Sequence, residues 1–321
     1  MGSANVAPMT GPAEPTPDTL RDPLQRYLLA TRPPFLTITL VGCVLGVATA
    51  YADGQPLALS TALVTILLAL MAHAAVNVHN DYCDHLNGTD ANNHSRVFPF
   101  TGGSRFIQNG VMTAQAMRRY ALALYAATVL GGLALVWAVG WGLVLIGFVG
   151  VLTGWAYSAD PLRLNSRGLG EVCVALTFWL VVVGADYVQR GAWSTTPMWA
   201  GIGYALLTTN ILYLNQFPDR DADIAAGKLH WVARLPVQQA RWGYVWILML
   251  ALLSLVLPAM LGVLPRGAAL GVVAAVPAFL ATRVLMQHAG EPRALTPAIQ
   301  QTIAAAHLAA VAMAIGLWWR P

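Results

Sequence analysis

The sequence predicts an all-α, polytopic membrane bundle of nine transmembrane helices. Three observations lead there. Of the 321 residues 57% are hydrophobic and only 10% charged; apolar runs of about 20 residues, the length a helix needs to cross the hydrocarbon core, recur along the chain; and the basic residues gather between alternate runs. A soluble core does not call for so large an apolar fraction, so apolar side chains must face lipid.

Residues 1–20 are rich in Ala, Pro and Thr and lack the basic start and apolar stretch of a secretory signal, so they read as a disordered tail ahead of a membrane domain at 21–321. Val6 stands where a myristoylation signal requires Ser or Thr. Over 18–31, Leu20, Leu24, Tyr27, Leu28 and Leu29 among charges predict a short amphipathic helix on the membrane interface. Arg32-Pro33-Pro34 then turns the chain into the first span. Runs with few charges predict spans at about 34–52, 57–79, 119–138, 141–159, 169–189, 197–217, 241–264, 267–287 and 299–319. Connections on one side are very short, at 52–56, at Gly140 and at 264–267, whereas the other side carries two long loops, about 80–118 and 218–240.

Those nine runs place every Lys and Arg on the loop-rich side except Arg190, Arg266 and Arg320, fifteen against three. By the positive-inside rule that side is cytoplasmic, the N-terminus lies with it and the C-terminus outside, as in a multi-pass protein of a bacterial inner membrane. The net charge of +4 follows from this topology and suits anionic lipid or substrate; no aromatic-interleaved basic patch points to nucleic acid. Cys43, Cys83 and Cys173 have no CxxC spacing and predict neither disulfides nor a zinc site.

The polar chemistry concentrates in the two long loops. Asn80-Asp81-Tyr82-Cys83-Asp84, with Asp90 beyond, places Asp81 and Asp84 on one face if the second helix continues past the hydrocarbon; Asp219 and Asp223 in Asp219-Arg220-Asp221-Ala222-Asp223 are i,i+4 partners. Both clusters follow Asn-rich helix ends, Asn77-Val78-His79-Asn80 and Asn215-Gln216-Phe217-Pro218, a likeness compatible with a duplicated half. Carboxylates at helix C-termini oppose the macrodipole by about 0.3–1 kcal/mol each, so clustering them calls for a cation. Paired hard oxygens favour Mg²⁺ held partly by protein and partly by phosphate. On the same side, Thr101-Gly102-Gly103-Ser104-Arg105, Tyr157 with Arg163, and Lys228 after Gly227 supply the flexible turns and cations that a diphosphate requires.

Asn80-Asp81-x-x-Asp84, Thr101-Gly102-Gly103-Ser104-Arg105, Tyr157-Ser158-Ala159-x-Pro161-Leu162-Arg163-Leu164, Gly168-Leu169-Gly170-Glu171 and Asp219-x-x-x-Asp223-x-x-x-Gly227-Lys228 together resemble the UbiA superfamily of intramembrane aromatic prenyltransferases, and within it the branch that prenylates 1,4-dihydroxy-2-naphthoate for menaquinone. The resemblance runs from about Arg32 to the last span. It implies a lipid-accessible cavity capped by cytoplasmic loops, with Asn80, Asp81 and Asp84 and, opposite, Asp219 and Asp223 binding Mg²⁺ on a polyprenyl diphosphate. The chain departs from that branch at Pro218, where relatives carry Arg, and at Leu229-His230-Trp231, where relatives have Thr-Leu after the Gly-Lys.

In this reading Asn80, Arg105, Arg163 and Lys228 bind the diphosphate, the Asp residues hold the metal, and the ring of Tyr157, or less directly Tyr82, faces an allylic cation, an interaction of about 0.5–2 kcal/mol. An aromatic acceptor then attacks, with loss of a proton or of CO₂. Two other classes compete. A transporter would place its acids near the midplane, whereas these sit at one rim. A membrane di-iron enzyme would need repeated His boxes, and His79, His85 and His94 lack a matching set at the second cluster, which has only His230. His73, His288 and His307 read as structural, and Glu171 as a partner for Arg163 or Arg167.

Overall fold

The computed structural model describes residues 13–319. Among them are helices and turns and no strand. Asp22 caps a short helix, α1 (Pro23–Ala30), by accepting from the Leu24 N–H; it covers the C-terminal half of the amphipathic segment expected at 18–31. Pro33 opens α2 (Pro33–Ala52) at a first-turn position where its missing N–H costs nothing. There follow α3 (Leu59–Leu86), a single turn α4 (Thr89–Asn92), α5 (Ala114–Val139) capped by Thr113, α6 (Gly142–Ser158), α7 (Gly170–Arg190), α8 (Thr195–Ala225) capped by Ser194, the turn α9 (Trp231–Arg234), α10 (Val237–Met260), α11 (Ala275–His288) preceded by a 3₁₀ stretch from Arg266, and α12 (Thr296–Trp318).

Each of the nine apolar runs falls on one of these helical segments. Seven are long and apolar enough to cross a membrane: α2, α3, α5, α7, α10, Arg266–His288 and Pro292–Trp318. The chain is therefore a multi-pass membrane protein. The other two differ for separate reasons. α6 has 17 residues, and α8 is the most polar of the long helices, since it carries Asn, Gln and Thr into the bundle interior.

α2, α7 and α12 are the most enclosed of the seven, while α3 and α5 turn more of their surface outward. Exposed Leu130, Trp246 and Phe148 mark faces that only lipid satisfies. At the end of the bundle away from the aspartate clusters, Trp137, Trp141, Trp193, Trp199, Trp318 and Trp319 are all exposed, the ring of amphipathic aromatics that a membrane–water interface selects. There Arg190 clamps α2 to α7: its Nε lies 2.8 Å from Asp186 Oδ1 and its Nη2 2.7 Å from Asp53 Oδ2, and the Thr49 hydroxyl donates to Asp186 at 2.9 Å. The buried Asp186 is thus fully paired.

Of the tail expected at 1–20, residues 1–12 lie outside the described residues. Residues 13–20 lie against the loop before α5, where Glu14 Oε1 accepts from Arg96 at 2.6 Å and Oε2 from Asn109 at 3.1 Å.

Close helix approach depends on glycine. A Cβ on Gly316 of α12 would fall on the carbonyl oxygen of Gly267, and one on Gly46 of α2 on that of Val182 in α7. Gly316→Leu is expected to cost about 1–3 kcal/mol by overpacking, seen as a lowered thermal midpoint in detergent, whereas Gly147→Ala, with nothing within 4 Å, stays within about 0.5 kcal/mol.

Candidate functional site

Both aspartate clusters ride on helices: the second predicted span does continue through Asp81 and Asp84, and the sixth continues into what the sequence set out as the loop at about 218–240. α3 carries Asn80, Asp81 and Asp84 in its last turns, and α8 runs through Pro218 to carry Asp219 and Asp223. Both helices end at the same side of the bundle, so their C-terminal turns flank one cavity of about 220 Å³. Its walls come from α2, α3, α6, α7 and α8, and its mouth is closed by α4, the Thr101–Gly103 turn and the segment bearing Lys228 and His230.

Lys228 joins the clusters: its Nζ lies 2.7 Å from Asp84 Oδ1 and 3.5 Å from Asp223 Oδ1. All three side chains are buried. Burial alone would lower the ammonium, but Asp84 and Asp223 outweigh it and hold Lys228 above the usual lysine range. His230 fixes the far oxygen of Asp223. Its Nδ1 accepts the Ala233 N–H at 3.2 Å, so in the neutral ring the proton sits on Nε2 and is donated to Asp223 Oδ2 at 3.0 Å.

The first cluster is organised by amides. Asn80 Nδ2 donates to Asp84 Oδ2 at 3.1 Å and to Ser158 Oγ at 2.9 Å, which leaves its carbonyl oxygen without a protein partner among the described residues. The Ser104 N–H donates to Asp81 Oδ2 at 3.1 Å, while the buried Asp81 Oδ1 has no partner. Opposite, Asn93 Nδ2 donates to Asp219 Oδ1 at 2.6 Å and the Gly102 N–H to Oδ2 at 3.4 Å. Asp90 completes the acidic set; burial first, then Asp84 and Asp81, push its carboxyl well above the ordinary range.

The remaining sequence candidates divide. Asn80, Tyr157 and Lys228 line the cavity with Asp84, Asp219 and Asp223. Asp81 stands one layer back, against Gly103. Arg105 and Arg163 do not line it. Arg105, in the left-handed region at φ 66°, donates to the Asp90 carbonyl and faces Glu14 at 3.8 Å; Arg163, at φ 39°, faces Asp160 at 3.9 Å. Tyr82 packs against a separate apolar cluster around Val78 and Met117. His79 lies beside Cys83 and Tyr125, outside the cavity. Glu171 pairs with neither Arg163 nor Arg167: packing of α7 on α8 gives it the Gln216 amide at 2.9 Å instead.

The structure adds lining residues that sequence reasoning passed over: Arg32, Asn93, Gln216, His230 and His73. Arg32 had a signal in its place beside Pro33 at a membrane mouth, and His73 in its i,i+4 step to Asn77. Asn93 had none, because its role depends on a contact across 126 residues.

Four carboxylates, Asp84, Asp90, Asp219 and Asp223, face the cavity against two cations, Arg32 and Lys228. The excess of acidic groups over cations, the orphaned Asp81 Oδ1 and the free Asn80 carbonyl fit a hard divalent cation. At Gly103 the backbone packs so closely on this acidic set that a Cβ would meet Asp90 Oδ2 at 2.7 Å and Asp81 Oδ1 at 3.0 Å, which brings the two carboxyl groups to one point. Among the described residues no three His, Cys, Asp or Glu side chains converge into a metal site of their own. An ion here would draw part of its shell from a ligand, the habit of Mg²⁺ with phosphates.

Known proteins are similar to this chain in sequence and architecture. Residues 39–300 match the UbiA prenyltransferase family. The chain is 28% identical to the 1,4-dihydroxy-2-naphthoate octaprenyltransferase of Escherichia coli (strain K12), over 92% of this chain and 95% of the relative. It is 27% identical to the 2-carboxy-1,4-naphthoquinone phytyltransferase of Synechocystis sp., over 82% of this chain and 78% of the relative. Among solved structures it shares its fold with a UbiA homolog from Aeropyrum pernix K1, at TM-score 0.68 and 14% identity over 86% of this chain and 97% of that one. A UbiA homolog from Archaeoglobus fulgidus bound to GPP and Mg²⁺ superposes at TM-score 0.62 and 15% identity, over 90% and 99%.

Lys228→Met strands two buried carboxylates and is expected to destabilise the protein by about 3–5 kcal/mol, with part of the loss recovered in Lys228→Met/Asp84→Asn. Thermal unfolding in detergent checks both; an unchanged midpoint in the single variant would show that the bridge contributes nothing.

Proposed function

We propose that this chain, which belongs to the UbiA prenyltransferase family, transfers a polyprenyl group from an isoprenoid diphosphate to 1,4-dihydroxy-2-naphthoate with Mg²⁺. That it is a prenyl-transferring membrane enzyme follows from the family and its named relatives. The observation that carries the finer reading is the single cavity into which α3 and α8 bring both aspartate clusters. The acceptor is supported by the names of relatives similar over most of the chain, and the metal and donor by a neighbour of the same fold that holds GPP and Mg²⁺.

In this reading Asn80, Asp81 and Asp84 on one side and Asp219 and Asp223 on the other hold Mg²⁺. When bound, the ions neutralise the diphosphate and stabilise it as a leaving group. Lys228 adds a cation on the wall itself and the Asn80 amide orients Asp84, while Arg105 and Arg163, behind the lining, supply positive field at the mouth. The allylic C–O bond breaks and the diphosphate departs with the electron pair. The ring of Tyr157 faces the resulting cation, and apolar walls at Phe178, Ile211 and Leu212 keep water away. An electron-rich ring carbon of the acceptor forms the new bond, and its proton or carboxyl group, as CO₂, leaves.

We also infer nine crossings, cytoplasmic caps over the cavity mouth, a cytoplasmic N-terminus and an external C-terminus in a bacterial inner membrane. The excess of basic residues on the carboxylate side supports this orientation.

In membranes carrying the protein, radiolabelled polyprenyl diphosphate is expected to label 1,4-dihydroxy-2-naphthoate in the presence of Mg²⁺ and not in excess chelator. Asp81→Ala and Asp219→Ala should each lower transfer at least about a hundredfold without loss of helical fold. Full activity in either variant would remove that residue from the site, and transfer to 4-hydroxybenzoate alone would replace the acceptor.

A further inference from the structure

We infer that His73 donates a hydrogen bond from its Nε2 to a ring oxygen of the aromatic acceptor, and so helps select and orient the ring to be prenylated. The inference rests on the aromatic prenyl transfer proposed above and names a residue that acts on the acceptor side of it.

His73 lies on α3 seven residues before Asn80, about 10 Å along the helix, and lines the same cavity. It marks the membrane end of a space whose other end is the two aspartate clusters. Ile38, Val76 and Phe178 share the wall with it, beside the polar Arg32 and Asn77, and the Phe178 ring meets the imidazole edge-on at 5.5 Å between centroids. A polar ring in that position needs a reason.

Thr39 determines what His73 offers. The Thr39 side chain is buried at 1% exposure, and its Oγ1 lies 2.7 Å from His73 Nδ1. Among the described residues that hydroxyl has no other hydrogen bond, so its proton has only Nδ1 to go to. With Nδ1 accepting, the neutral ring carries its hydrogen on Nε2. Nε2 has no protein partner among the described residues, and it is not one of the enclosed partnerless atoms, so it opens on the cavity.

A donor left without a protein partner on a cavity wall favours an occupant that brings an oxygen. A prenyl chain brings none. A hydroxy- or carboxy-substituted aromatic does, and when held by His73 it spans the cavity toward the clusters, where the reacting carbon of the donor would lie. Discrimination by a hydrogen-bond donor is also sharper than by apolar fit, because an analogue lacking the oxygen leaves the N–H unpaired.

The test is steady-state kinetics of the full chain in nanodiscs with Mg²⁺, geranyl diphosphate and 1,4-dihydroxy-2-naphthoate. His73→Leu is expected to raise the acceptor KM about tenfold or more while the donor KM stays within about twofold. His73→Gln, which keeps an N–H donor, should stay within about threefold of wild type, and Thr39→Val, which frees the tautomer, should raise the acceptor KM by about threefold or more. An unchanged acceptor KM in His73→Leu, an equal rise in donor KM, or a Gln variant as impaired as Leu would overturn the inference. If the Leu variant does not fold, a wild-type acceptor KM in Thr39→Val overturns it. Wild-type protein that transfers to no aromatic acceptor defeats the parent reading and this one with it; wild-type transfer with indifferent variants defeats this one alone.

Discussion

Lys228 sits between Asp84 and Asp223, and the polar end of the bundle depends on that arrangement. Two helices that end on the same side of the bundle, across one cavity, bring like-signed dipoles to it, and these two add carboxylates in the same turns. Without a cation between them α3 and α8 would repel where they must flank a cavity. One buried ammonium, supplied by the segment after α8, lies between the two ends and leaves more acidic groups than cations inside. Under the proposed function a divalent ion would answer that excess.

The loops around it follow from the same demand. Buried carboxylate oxygens need donors, and most of these find one in chain outside their own helix, from the Ser104 and Gly102 amides, Asn93 and His230, whereas Asp81 Oδ1 is left without one. Supplying these donors folds 87–113 and 226–236 down over the helix ends. Glycine at 102 and 103 allows the backbone to come close enough, and a side chain at 103 would strike both Asp81 and Asp90. At the opposite end the Arg190 clamp is complete and leaves no comparable deficit. The two ends of the molecule thus differ in kind, one closed by internal pairing and one left open to a cationic ligand.

Much of this was legible in the sequence, for physical reasons. A bilayer favours long apolar runs with few charges, so each of the nine runs locates a helical segment even where the ends shift by several residues. Asp81, Asp84, Asp219 and Asp223 were legible because i,i+3 and i,i+4 acids at a membrane rim have few inexpensive explanations. How far the two helices run past the hydrocarbon was left open. Asn, Asp and Tyr are modest helix formers, and only partners across the fold carry α3 to Leu86. The direction of Arg105 was hidden for a similar reason: its left-handed backbone turns the guanidinium toward the Asp90 carbonyl and Glu14. Glu171 found Gln216 because of how α7 rotates on α8, which periodicity does not encode.

The central claim is that the two aspartate clusters form one diphosphate–metal site and not two independent ones. Calorimetric binding of a non-hydrolysable allylic diphosphate with Mg²⁺ to wild type, Asp84→Asn, Asp223→Asn and the double variant tests it most directly. One shared site is expected to give a Kd raised at least about tenfold by either change, little further loss in the double variant, and a coupling energy well above about 0.5 kcal/mol. Losses that simply multiply, with no coupling between the positions, would contradict it.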